Sequence, residues 1–201
     1  MPLAAEAAAW DTVTGAPIER QPGDLCACRI SGAGGIAIDF AQWLNGAKAF
    51  SHWDHVKVYV GDGKILQAEP GGAQIISQPV IPGELWSTGI PSLALSEEQQ
   101  ARVPALAETY RGIGYSALDY QALAAHRLHL PDLPVWPEPK PGGGHRLVTL
   151  QDFIGATGHQ MCSQLADDFR LRLGSHLFDD NRWPGYVTPF DIGDLITRLA
   201  R

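Results

Sequence analysis

Cysteine is scarce in this chain, with three in 201 residues. An odd number cannot all pair, and nothing in the spacing resembles a disulfide framework, so the expectation is a reducing compartment or a free working thiol. Basic charge is scarce as well. Only 15 Lys+Arg stand against 22 Asp+Glu, a formal charge of −7, and the basic residues do not cluster, which argues against a phosphate-tracking surface and against nucleic acid as a partner. No apolar run reaches membrane-spanning length, so no transmembrane segment is expected. The opening MPLAAEAAAWD carries Glu6 and no basic region ahead of an apolar one, which is not the pattern of a Sec signal. Localisation is left open between the cytoplasm of the producing cell and export by a non-Sec route. The glycine-rich residues 31–35 have neither the G-x-G-x-x-G pattern nor Walker spacing, so a phosphate site is not expected there.

What is present centres on residues 53–72, WDHVKVYVGDGKILQAEPGG. Two β-branched-rich runs, 55–60 and 64–69, flank Gly61-Asp62-Gly63, which is hairpin-turn chemistry. A three-residue loop with Gly63 in the left-handed position pairs 60 with 64, 58 with 66, 56 with 68 and 55 with 69. Val56, Val58, Val60, Leu66 and Ala68 then share one face, and His55, Lys57, Tyr59, Gln67 and Glu69 the other. A two-residue Asp62-Gly63 loop would mix polar and apolar residues on each face. The first register sets His55 across from Glu69 with Cβ atoms roughly 5 Å apart, close enough for a carboxylate to orient an imidazole. Without a nucleophile elsewhere, the pair would be only a surface contact on a solvated strand face.

The length suits one domain able to bury a core without metal or disulfide support. Residues 1–21 read as an Ala-rich lead-in and 22–201 as the folded domain. After the turn at Pro22-Gly23-Asp24, residues 25–30 form a short strand with Cys26 and Cys28 on one face, an arrangement commoner for core packing than for metal binding. Ile36, Phe40, Trp43 and Leu44 recur at helical spacing. Residues 74–80 form a strand closed by Pro79 and Pro82. Ser96 caps a helix that runs through Tyr110, with Pro104 placed to kink it. Residues 118–130 form a further helix, and 131–144, PDLPVWPEPKPGGG, a loop too rich in proline and glycine for regular structure.

The nucleophile is found in GHQMCSQLADDFRLRLG, residues 158–174. Leu165, Phe169 and Leu173 mark a buried helical stripe that Gly174 stops, and Cys162 sits at its first turn. Backbone N–H groups and the helix dipole there favour a thiolate, which lowers the pKa of Cys162 from its usual value of about 8.5. Only the thiolate attacks well. With the separate His55–Glu69 pair, Cys162 completes a cysteine, histidine and carboxylate arrangement.

In order, the PGDL turn, the strand DHVKVYVGDGKILQAEPGG, the helix MCSQLADDF and a late T-P-x-D (Thr188, Pro189, Asp191) resemble the circularly permuted NlpC/P60 papain-like hydrolases. The likeness is to the YiiX-like branch, related to the lecithin:retinol acyltransferase group. It covers about residues 22–72 and 158–195. It implies an α+β fold, a papain-like antiparallel sheet packed against helices, with the cysteine helix C-terminal to the histidine strand. It also implies Cys162 as nucleophile, His55 as general base and Glu69 as the polar third member, with no cofactor. Lys57 stands where these proteins usually have a small residue, and Tyr115, in a G-x-x-Y context, resembles their tyrosine near the active site; both are candidate substrate-binding residues. The implied activity is cysteine peptidase or amidase hydrolysis of peptidoglycan stem peptides through an acyl-enzyme, in cell-wall remodelling, lysis or an antibacterial effector with its immunity or delivery partner. Lys57 or Arg146 is the local positive charge available to an acidic stem peptide.

Two other readings share these residues. His52-x-x-His55, His159-x-x-Cys162 and Cys26-x-Cys28 contain ligand types and spacings that bind zinc. The same scaffold can also serve as an acyltransferase, an esterase or a non-catalytic binding module, since fold does not fix function.

Overall fold

Alternation at period two builds the central sheet, and a 3.6-residue stripe supplies what covers it. The computed structural model describes residues 19–30, 53–69, 71–78, 81, 83–114, 134–139, 145–149, 161–178 and 187–201. These include β1 (Leu25–Cys28), β2 (His55–Gly61), β3 (Lys64–Glu69), β4 (Gly72–Ser77) and β5 (Leu85–Trp86), then α1 (Glu97–Tyr110), β6 (Pro134–Pro139), β7 (His145–Thr149), α2 (Cys162–Arg172) and α3 (Pro189–Leu199). The fold is α+β. Strands β1 to β5 form one five-stranded antiparallel sheet in the order β4-β3-β2-β1-β5, and β6 and β7 form a separate two-stranded sheet.

One face of the sheet, carrying Leu25, Ala27, Val56, Val58, Leu66 and Ala68, is buried in a core with Leu165, Ala166 and Phe169 of α2, Val103 and Ala107 of α1, and Ile192 and Ile196 of α3. At about 1.5–3 kcal/mol for each fully buried large aliphatic or aromatic side chain, this face fixes the roll of α2 about its axis. Its first residue, Cys162, is thereby aimed at the sheet.

The β2–β3 hairpin corrects the expected turn. Val58 pairs with Leu66 as anticipated, but Gly61, rather than Val60, pairs with Lys64, and the register shifts between Tyr59 and Gly61. The loop is therefore the two-residue Asp62-Gly63, both at positive φ (52° and 68°), the sign pattern that matches strand twist. A bulge at Val60 absorbs the extra residue and restores the register beyond it. Each of the two loops weighed from the sequence thus holds half of the answer.

Other boundaries also differ from expectation. The strand expected at 74–80 begins at Gly72 and ends at Ser77. The loop expected over 131–144 contains β6, PVWPEP. Pro137 and Pro139 pair with Leu147 and His145 and, lying two residues apart, turn their nitrogens to the same side of the strand. Ser96 caps α1 in a reciprocal capping box with Gln99, and the helix continues through Pro104 to Tyr110. Thr188-Pro189-x-Asp191 is the start of α3: Asp191 N donates to Thr188 Oγ1 at 3.2 Å and Thr188 N to Asp191 Oδ2 at 2.8 Å. The helices expected around 36–44 and over 118–130 lie outside the described residues, as does the lead-in before residue 19. No helix of the described residues is long and apolar enough to cross a membrane.

Candidate active site

His55 is the first residue of β2, and its position is fixed by the residue before it. Asp54, 1% exposed, donates its backbone N–H to Cys28 O at 3.1 Å and accepts from Ile30 N–H through Oδ1 at 2.6 Å. The end of β1 and the start of β2 are thereby tied together, with Cys28 and His55 as register partners. Pleating then turns His55 and Lys57 away from the Val56/Val58 core face. That second face is not solvated: His55, Lys57 and Gln67 are 3%, 6% and 3% exposed. The alternation of polar and apolar residues separates two buried layers.

Cys162 is placed by the start of α2. Met161 is the N-cap, and its N–H donates to Gln164 Oε1 at 3.0 Å. Ser163 Oγ donates to Val187 O at 2.7 Å, which joins this helix start to the start of α3. Held so, Cys162 hydrogen-bonds with the His55 ring. Burial by itself pushes the His55 pKa down, but the negative charge of Cys162 and that hydrogen bond, followed by the charge of Cys28 and the Gln67 hydrogen bond, raise it to about 9. The electrostatics are those of an imidazolium facing a thiolate.

His55 Nε2 lies 3.2 Å from Gln67 Oε1. An amide oxygen only accepts, so Nε2 donates and carries a proton. Glu69, expected as the third member, is nearby but not hydrogen-bonded to the ring: its Oε1 is 4.0 Å from Nε2 and its side chain is 39% exposed. Glu69 Oε2 accepts from Gln74 Nε2 at 3.1 Å. The structure thus brings Cys162, His55 and Gln67 into one buried chain of contacts, with Glu69 at its rim. The expected register points to position 69 as the partner of His55, whereas the ring reaches diagonally to Gln67.

Lys57 is not presented to a substrate. Its ammonium lies 2.7 Å from Glu84 Oε1, with both side chains buried. Tyr115, His52 and His159 lie outside the described residues, as does the side chain of Arg146. Among the described residues, the donors gathered in the manner of a metal site are Cys26, Cys28 and Glu84, not Cys162 with His55. Cys26 and Cys28 hydrogen-bond to each other; that bond, with the charges of His55 and Lys57, lowers the Cys28 pKa to about 7, while burial raises that of Cys26.

The chain matches no protein-family model, no curated protein and no solved structure among those compared. The chemistry is therefore read from the geometry. A thiol at a helix start, an imidazole against it and an amide oxygen behind the imidazole can store a proton, release it to a leaving group and supply a sulfur nucleophile.

Proposed function

We propose that the chain is a papain-like cysteine hydrolase with the strand-before-helix order of the permuted NlpC/P60 group. The observation that carries this reading is the contact between Cys162 and a His55 ring that is 3% exposed yet has its pKa raised to about 9. A structural core histidine at that burial would favour its neutral form. Here the neighbouring sulfur reverses the preference.

In this reading Cys162 is the nucleophile, His55 the general acid and base, and Gln67 the residue that holds the ring, with Nδ1 left to exchange its proton with the sulfur. The thiolate attacks an amide carbonyl carbon. His55 gives its proton to the departing nitrogen as the C–N bond breaks, leaving a thioester on Cys162. Water then attacks the thioester while His55 takes one of its protons, and the thiolate departs. First-turn amides of α2 are suited to bind the developing oxyanion, because a helix supplies these groups no acceptor of its own. Glu69 stands at the rim of the site, its Oε1 4.0 Å from Nε2.

The substrate class proposed is the stem peptide of peptidoglycan, cleaved as an endopeptidase or amidase would. Because Lys57 is paired with Glu84, any positive complement to an acidic stem peptide comes from elsewhere. Purified peptidoglycan digested with the wild-type chain and analysed by mass spectrometry is expected to yield fragments with new stem-peptide termini, and Cys162→Ala none. Transfer of the acyl group to an added acceptor with no free acid would instead favour an acyltransferase. Absence of any product would remove peptidoglycan as the substrate.

A further inference from the structure

On the buried polar face of the sheet, Cys26 and Cys28 come from alternate positions of β1, and Glu84 comes from the residue just before β5, which pairs with β1. One ligand atom from each, the two Sγ atoms and a carboxylate oxygen, lie within 4.8 Å of one another. A tetrahedral Zn²⁺ with Zn–S near 2.3 Å separates two sulfurs by about 3.8 Å. The three donors therefore lie within about 1 Å of the spacing such an ion requires.

The surroundings of Glu84 fit a ligand held in place by its neighbours. Its Oε2 accepts from Ile81 N and from Trp86 Nε1, each at 3.2 Å, and its Oε1 accepts from Lys57 Nζ at 2.7 Å. A carboxylate has four acceptor positions, and these bonds use three, leaving one on Oε1. Metal-ligating carboxylates are oriented by such outer hydrogen bonds. Charge also balances: two thiolates and one carboxylate sum to −3, Lys57 brings this to −2, and a divalent ion makes the buried cluster neutral. With Cys26 and Cys28 at 0% and 4% exposure, neutrality matters, since an uncompensated charge at such depth is costly.

We propose that Cys26, Cys28 and Glu84 form a site for a thiophilic divalent cation of the Zn²⁺ class, with water as the fourth ligand, joining β1 to the start of β5. The site is separate from the Cys162 nucleophile, and its test does not depend on hydrolysis. In the Cys162→Ser chain, reduced with a phosphine, Co²⁺ is expected to bind with a stoichiometry of one and to give a thiolate-to-cobalt charge-transfer band. Zn²⁺ should abolish that band by displacement. Cys26→Ser and Cys28→Ser, each made in the Cys162→Ser background, should lose the band. If either fails to fold, X-ray absorption of the Zn²⁺-loaded Cys162→Ser chain decides, with two sulfurs at about 2.3 Å expected. No charge-transfer band in the Cys162→Ser chain, a band that survives loss of Cys26 or Cys28, or a zinc shell with fewer than two sulfurs would overturn the proposal.

Discussion

Gln67 Oε1 lies 3.2 Å from Nε2 of His55, and both side chains are buried. Glu69, the carboxylate expected opposite the histidine, is 4.0 Å away. Of these two, the neutral amide is the one hydrogen-bonded to the ring, and the carboxylate is the more distant neighbour.

This ordering predicts the ranking of two substitutions. Gln67→Ala removes an acceptor facing a charged imidazole, worth about 1.5–3 kcal/mol, so kcat/KM should fall roughly 10- to 150-fold. Glu69→Gln keeps the shape and removes a partly exposed charge, and its loss should be smaller. Steady-state kinetics on the two variants measure this directly; a larger loss from Glu69→Gln would return the third role to the carboxylate.

The nucleophile and its base should behave as one unit. Cys162→Ala and His55→Ala should each lower kcat by at least about 10³-fold, and the double variant should be no worse than the more severe single one. Circular dichroism should show all three folded. Losses that multiply would mean that the two residues act independently.

The pH dependence has a definite sign. The His55 pKa is raised to about 9, so the proton needed by the leaving group is present below that pH and is lost as pH rises through it. Hydrolysis should therefore decline on an alkaline limb near pH 9, while alkylation of Cys162, which needs no acid, should not decline. Because the Gln67 hydrogen bond is one of the effects raising the histidine, Gln67→Ala should move the limb to lower pH. Parallel pH profiles of hydrolysis and of iodoacetamide labelling separate the two roles.

Packing near the site gives a stability prediction. A Cβ added at Gly193 of α3 would lie 2.2 Å from Cδ1 of Trp53, two residues before His55. Helix propensity favours alanine over glycine, but the added methyl requires the Trp53 indole, next to the start of β2, to shift. Gly193→Ala should destabilise the chain by about 1–3 kcal/mol, and kcat/KM should fall with it. A thermal melt at or above the wild-type midpoint would show that Trp53 moves aside without strain.

The elements with strong local signals were legible in the sequence. Ser96, the Leu165/Phe169/Leu173 stripe and Gly174, at φ 79°, define α1 and α2 through local signals, while the return bond from Gln99 that completes the Ser96 cap is seen in the structure. The pairing of Val58 with Leu66 followed from hydrophobic alternation alone. What escaped depended on contacts across the fold. The bulge at Val60 combines a two-residue turn with the register of a three-residue one, and neither loop length taken alone reveals it. His55 reaches Gln67 on a diagonal, which no pairing table gives. Lys57 reads as a substrate-facing cation from the family likeness and its charge; its partner Glu84 lies 27 residues on, beyond the reach of any local signal. Thr188 and Asp191 carry a capping signal that is readable from their spacing and that the structure shows as a reciprocal cap on α3.

The central claim is that the buried contact between Cys162 and His55 holds an activated thiolate, and the most direct test is the pH dependence of alkylation of the three cysteines in the folded chain, resolved by peptide mass mapping. Cys162 should label at mildly acidic pH, ahead of Cys28, with Cys26 last, because burial and the neighbouring Cys28 raise the Cys26 pKa. His55→Ala should shift Cys162 labelling toward the ordinary thiol range near pH 8.5. Labelling of Cys162 only above about pH 8.5 in the wild type, unchanged by His55→Ala, would contradict the account.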